Sequence, residues 1–176
     1  MSRKRARPAP EPQANAKTLR ALAVSMVGVA LLAAAMSGLG YWWTSRSGPL
    51  VTMYRQAGCE CCMRWAQHLR EAGFRVDVRD DEPIVDVRAR LGVPEPLAAC
   101  HTATVGRYVI EGHVPAADIR RLLDQHSDLR GLAVPGMPAG SPGMEGAREE
   151  RYEVLGMAGD GTQRVVARHG PERDDG

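Results

Sequence analysis

The sequence is poor in what a nucleic-acid partner would need. It has one Phe in 176 residues, aromatics make up 5%, and no recognised binding motif is present. Its net charge of +2 belongs to one end: residues 1–43 hold six of the 23 Lys and Arg and one of the 21 Asp and Glu, leaving 17 positive and 20 negative charges, formally −3, on the remainder. Without a basic excess that part lacks the electrostatic footprint that grips a phosphate backbone, and we expect no nucleic-acid partner. No internal repeat is visible either, so a single folded domain is expected after the N-terminal segment.

Charge is also missing from Ala21 to Trp43, 23 residues without Asp, Glu, Lys or Arg. As a helix this run would extend roughly 34 Å, enough for the hydrocarbon core of a bilayer. Residues 1–20 carry Arg3, Lys4, Arg5, Arg7, Lys17 and Arg20 with three prolines, and read as a disordered basic tail. A positive flank inside and the remainder outside is the expected orientation. Ala33-Ala34-Ala35 offers a signal-peptidase-like alternative. The apolar run passes beyond it to Tyr41, Trp42 and Trp43, residues suited to a membrane interface, and this favours an uncleaved inner-membrane anchor over residues 21–43.

The domain is expected over residues 48–169 and is of α/β class. Leu50 to Tyr54 is a β-branched apolar run of strand length. Met63, Trp65, Ala66, Leu69 and Ala72 recur at helical spacing until Gly73, and Phe74 to Arg79 alternates as a half-buried strand, which gives a β-α-β unit. A second helix is expected over Ile84–Leu91, a strand through Thr102–Val105, a hairpin partner at Tyr108–Glu111 and a helix from Pro115 to about His126. Gly131–Gly146 reads as a long Gly/Pro-rich loop, with a last hairpin formed by Tyr152–Met157 and Thr162–Arg168.

There are only four cysteines, and three stand within four residues as Cys59-Glu60-Cys61-Cys62. Cys59 and Cys62 form a C-x-x-C where a strand gives way to a helix, the thioredoxin-like placement in which helix-terminal N–H groups stabilise a thiolate. Cys61 complicates disulfide exchange, since a third thiol beside the pair can attack it. Cys100 precedes the third strand, which in a thioredoxin-like sheet faces the start of the first helix, so four sulfurs can converge. A second C-x-x-C knuckle, usual for zinc, is absent. Soft sulfur donors favour Cu(I), and Met137 and Met144 could add thioether and His101 and His113 nitrogen ligands. Each has a plainer reading: the methionines as gap-fillers, His113 as a helix cap, His101 turned away from Cys100 by strand alternation. Met53 and Met63 read as core, and His68, His126 and His169 are given no functional role.

Four blocks carry a resemblance: Gly58-Cys59-Glu60-Cys61-Cys62, Ala99-Cys100-His101-Thr102-Ala103, Val109-Ile110-Glu111-Gly112-His113-Val114-Pro115, and Gly131 through Glu145 with its two methionines. In this order and spacing the chain resembles the periplasmic copper-resistance proteins of the CopG type over most of residues 50–157. The resemblance implies a thioredoxin-like fold and copper binding in the periplasm. It also implies Cu(I) held by Cys59, Cys61, Cys62 and Cys100, as a thiolate-bridged cluster with redox activity toward copper, and dealings with other copper-handling periplasmic proteins. Ala99 replaces the family's usual Ser. No proline stands where thioredoxins place one before the third strand, which counts against disulfide exchange with protein substrates. The rivals are a thiol-disulfide oxidoreductase with Cys59 as nucleophile and Cys62 as resolving thiol, and a structural framework of two disulfides.

Overall fold

The structure is a computed structural model and describes residues 26–29, 31–37, 48–146 and 148–171. The chain divides into two units, Met1–Trp43 and Thr44–Gly176. In the first, residues 26–29 and 31–37 are helical and expose Met26, Val27, Val29, Leu31, Leu32 and Met36. No helix among the described residues is long and apolar enough to cross a membrane. The expected basic tail over 1–20 and the two ends of the expected anchor over 21–43 lie outside the described residues.

The second unit begins with strand β1 (Leu50–Arg55), helix α1 (Glu60–Glu71) and strand β2 (Arg75–Arg79). Helix α2 (Ile84–Leu91) and a 3-10 turn at Glu95–Leu97 lead to the hairpin β3 (His101–Val105) and β4 (Tyr108–Glu111), then to helix α3 (Ala116–Asp124). Strands β5 (Gly131–Ala133), β6 (Tyr152–Met157) and β7 (Gln163–His169) are the last described elements. The seven strands of the described residues form one sheet in the order β2-β1-β3-β4-β5-β6-β7. β1 runs parallel to β2 and β4 to β5, and the other neighbours are antiparallel.

Packing follows the pleat. Ile110 and Leu132 belong to a large core with Cys62, Trp65, Ala66 and Leu69 of α1 and Ile119 and Leu122 of α3. Their strand neighbours Val109 and Ala133 pack instead with Leu97, Met157, Leu91 and Val93. Successive strand residues point to opposite faces, so the sheet is covered by α1 and α3 on one side and by the segment after α2 on the other.

The structure differs from the sequence reading in two places. Gly131–Ala133, expected as loop, is a fully buried strand that joins the last hairpin to the main sheet. A Cβ at residue 131 would overlap the Val109 carbonyl, so glycine is what lets the two strands approach. Met63 is 39% exposed because the buried stripe of α1 is Cys62, Trp65, Ala66 and Leu69, and position 63 falls beside it.

Candidate metal centre

Strand register brings the cysteines together. Arg55, the last residue of β1, pairs with His101, the first of β3, so the turn leaving β1 and the residue entering β3 lie at the same sheet edge. That turn, with Gly58 at φ +82°, places Cys59 as the N-cap of α1 in extended conformation, making no side-chain cap of its own. Cys61 and Cys62 follow in the first turn of α1.

Cys59 and Cys62 are joined in a disulfide, and Cys61 and Cys100 are free. The Cys61 Sγ lies 3.3 Å from Cys59 Sγ and 3.9 Å from Cys100 Sγ. All four sulfurs fall within 4.8 Å of one another. A second group shares Cys100: the ligand atoms of Cys100, His101 and His113 are also mutually within 4.8 Å. Cys100 Sγ is 2.9 Å from His113 Nε2 and 3.3 Å from His101 Nδ1. His101 therefore stands beside Cys100, and Nε2 of its fully buried ring has no hydrogen-bond partner among the described residues. His113 does not cap α3, whose N-cap is Pro115. Its Nδ1 donates to the Pro142 carbonyl at 2.7 Å, and because that oxygen only accepts, the proton is on Nδ1 and the Nε2 lone pair faces Cys100.

Electrostatics keep the nitrogens in ligand form. Burial holds His101 well below the usual imidazole range, with His113 adding to the effect, and burial also lowers His113. Burial, reinforced by the neighbouring Cys61, pushes the Cys100 thiol up to about 12, so a cation entering here must displace a proton.

The long loop after β5 closes against this centre. Arg64 Nε donates to the Gly143 carbonyl at 2.9 Å, and a Cβ on Gly143 would lie 2.8 Å from Trp65 N and 3.3 Å from His113 Nδ1. Met144, partly buried, is the next residue, whereas Met137 is 53% exposed. The Trp65 ring packs tilted at 41° against His101, centroids 4.3 Å apart, and donates Nε1–H to the Val114 carbonyl at 2.8 Å.

Sequence reasoning gave no role to Glu111, Arg88 or Thr102. Glu111 is fully buried and accepts from Ala99 N–H at 2.7 Å, Arg88 Nε at 3.0 Å and Thr102 Oγ1 at 2.6 Å. Burial pushes its carboxyl above the ordinary range despite these donors. The available signal is an acid ending β4 directly after the apolar run Tyr108-Val109-Ile110.

The donor set suits a soft metal: four sulfurs with two neutral imidazoles alongside. Two of those sulfurs become thiolate ligands only after the Cys59–Cys62 bond accepts two electrons.

Comparison with known proteins decides the lineage. Two solved structures of a copper resistance protein CopG, in forms 1 and 2, superpose with a TM-score of 0.67 at 42% identity; each is covered over its whole length by 71% and 70% of this chain. The chain belongs to the CopG family. A family model described as a protein of unknown function, DUF411, matches residues 97–144. That stretch of this CopG-family chain contains Cys100, His101 and His113, the part of the cluster outside the CxCC segment, and also Glu111, Met137 and Met144. No curated protein matches.

Proposed function

We propose that this chain is a thioredoxin-like protein of the bacterial periplasm that binds Cu(I) in copper resistance or homeostasis. The observation that carries the reading is the convergence of Cys59, Cys61, Cys62 and Cys100 within 4.8 Å, in a chain whose relatives are copper resistance proteins. Sulfur is the donor Cu(I) prefers, and thiols this close can bridge several ions in a cluster. His101 and His113 beside Cys100 are the nitrogen ligands of this reading, and the thioethers of Met144 and Met137 on the closing loop are its further soft donors. The β-α-β unit followed by hairpin and helix, in sheet order β2-β1-β3-β4, supports the thioredoxin-like assignment. The uncharged run from Ala21 to Trp43 supports an inner-membrane anchor with the folded unit on the periplasmic side, where it would exchange copper with other copper-handling proteins.

The test is anaerobic titration of the reduced chain with Cu(I) against a chromophoric chelator. Cys61→Ser and Cys100→Ser should each weaken binding by at least tenfold, since each removes a bridging sulfur. Wild-type affinity in both variants would defeat the proposal. A second reading, thiol-disulfide oxidoreductase, is favoured by one observation, the Cys59–Cys62 disulfide at the N-terminus of α1. It predicts dithiol-dependent disulfide reduction that survives Cys100→Ser and disappears with Cys59→Ser.

A further inference from the structure

Cys100 is the one sulfur that does not come from the first turn of α1, and something must hold it opposite the other three. It lies outside β3, which begins at His101, so the sheet ladder does not fix it. The two backbone groups of the preceding residue are both gripped by charged side chains. Glu111 Oε1 accepts from Ala99 N–H at 2.7 Å, and Arg88 Nη2 donates to the Ala99 carbonyl. Arg88 Nε in turn donates to the same Glu111 oxygen at 3.0 Å, which closes the clamp. On the far flank, Thr102 Oγ1 donates to Glu111 Oε2 at 2.6 Å.

The same strand end sets the second arm of the centre. Gly112 N–H donates to the His101 carbonyl at 3.0 Å, and a Cβ at Gly112, whose φ is +69°, would lie 2.7 Å from the Ala99 Cβ. Glu111 thus ties Ala99 and Thr102, on either side of Cys100 and His101, into one register. A fully buried carboxylate beside a guanidinium is an expensive way to hold backbone, since burying the pair forfeits solvation and an apolar pair of similar volume often stabilises a fold as well or better. That cost is accounted for if the pair orients a ligand-bearing turn.

We infer that Arg88 and Glu111 are positioning residues that clamp the Ala99 peptide and thereby fix Cys100 for metal binding by the four-sulfur centre. The inference rests on the Cu(I)-binding reading above. Arg88 comes from α2, on neither of the segments that supply sulfur, so the clamp also couples that helix to the geometry of the centre.

The test is a double-mutant cycle in the reduced full chain, read by anaerobic Cu(I) competition. The clamp is removed by Arg88→Met with Glu111→Gln together, because either change alone strands a buried charge and can unfold the protein; Thr102→Val is a milder second variant that deletes one hydrogen bond. Outer-shell partners of metal ligands typically govern affinity by about 10–100-fold. The double variant should therefore lose about tenfold or more, and Thr102→Val less. In a Cys100→Ser background the same changes should produce no further loss, because the clamp acts through that sulfur. In the metal-free chain, amide hydrogen exchange at Ala99 should accelerate in the double variant while amides of β1 stay protected. Wild-type affinity in the double variant, or an equal loss with and without Cys100, would overturn the inference and leave the Cu(I) reading standing. If the wild-type chain itself takes up no Cu(I), the functional reading fails, and the exchange result at Ala99 then judges the clamp alone.

Discussion

Trp65 ties the metal centre to the core through two groups that are far apart in sequence. Its ring is fully buried against His101, and its indole N–H satisfies the Val114 carbonyl at the entry to α3. Trp65→Phe keeps an aromatic ring and leaves that carbonyl unpaired, so urea unfolding should show a loss of about 1–3 kcal/mol. Trp65→Ala adds a cavity and should cost about 3–5 kcal/mol. A phenylalanine variant as stable as wild type would mean the hydrogen bond contributes nothing. Helical spacing was enough to put Trp65 on the buried face of α1, but nothing local in the sequence joins it to a carbonyl 49 residues on. His101 is the converse case. Strand alternation suggested it would point away from Cys100, yet the pleat governs only residues inside the strand, and Cys100 precedes it, which leaves the imidazole free to stand 3.3 Å from the sulfur.

At the scale of elements, α3 begins with a histidine borrowed from α1. Ala116 N–H, in the first turn of α3, donates to His68 Nε2 at 3.1 Å, which requires the ring to be neutral. Burial lowers the pKa of His68 below 6.5, and this outweighs the opposing pull of Glu145 and Glu71. The unfolded chain therefore binds the proton more readily than the folded one. The contribution of this contact is full above about pH 6.5 and is lost as pH falls through the lower folded value. His68→Gln keeps an acceptor without a titrating group. Its stability should fall less than wild type's between pH 7 and 5 in parallel denaturant series, and matching slopes would refute the assignment. β5 makes a related point about legibility. The Gly/Pro content of 131–146 correctly signalled a loop for most of its length, but three buried residues cannot display a period, and Gly131 looked like loop glycine when it serves close strand approach. Gly131→Ala should cost about 1–3 kcal/mol by overpacking against Val109, seen as a lower urea midpoint with an unchanged slope.

At the scale of the whole molecule, the C-terminal hairpin holds the closing loop in place from a distance. The loop leaves β5 and returns to β6, and Glu150 N–H bonds the Ala139 carbonyl at 2.8 Å just before β6 begins. β6 pairs on β5, and β7 pairs on β6, so the loop is pinned at both ends by the same piece of sheet. His169 at the end of β7 reaches the buried Asp118 of α3 at 2.7 Å and stacks on Tyr152, which fastens the last strand to α3. A chain ending at residue 150 would keep every cysteine and histidine of the centre and lose this support. The Pro142 carbonyl that fixes the His113 tautomer and the Gly143 carbonyl held by Arg64 would then sit on an untethered segment. We expect such a chain to bind Cu(I) about tenfold or more weakly than the full one, by the same outer-shell argument. Removing residues 1–43, which form a separate unit, should leave affinity unchanged. If the chain ending at residue 150 folds and matches the full chain in chelator competition, the loop does not depend on the hairpin, and its contacts with His113 and Arg64 suffice to hold it over the sulfurs.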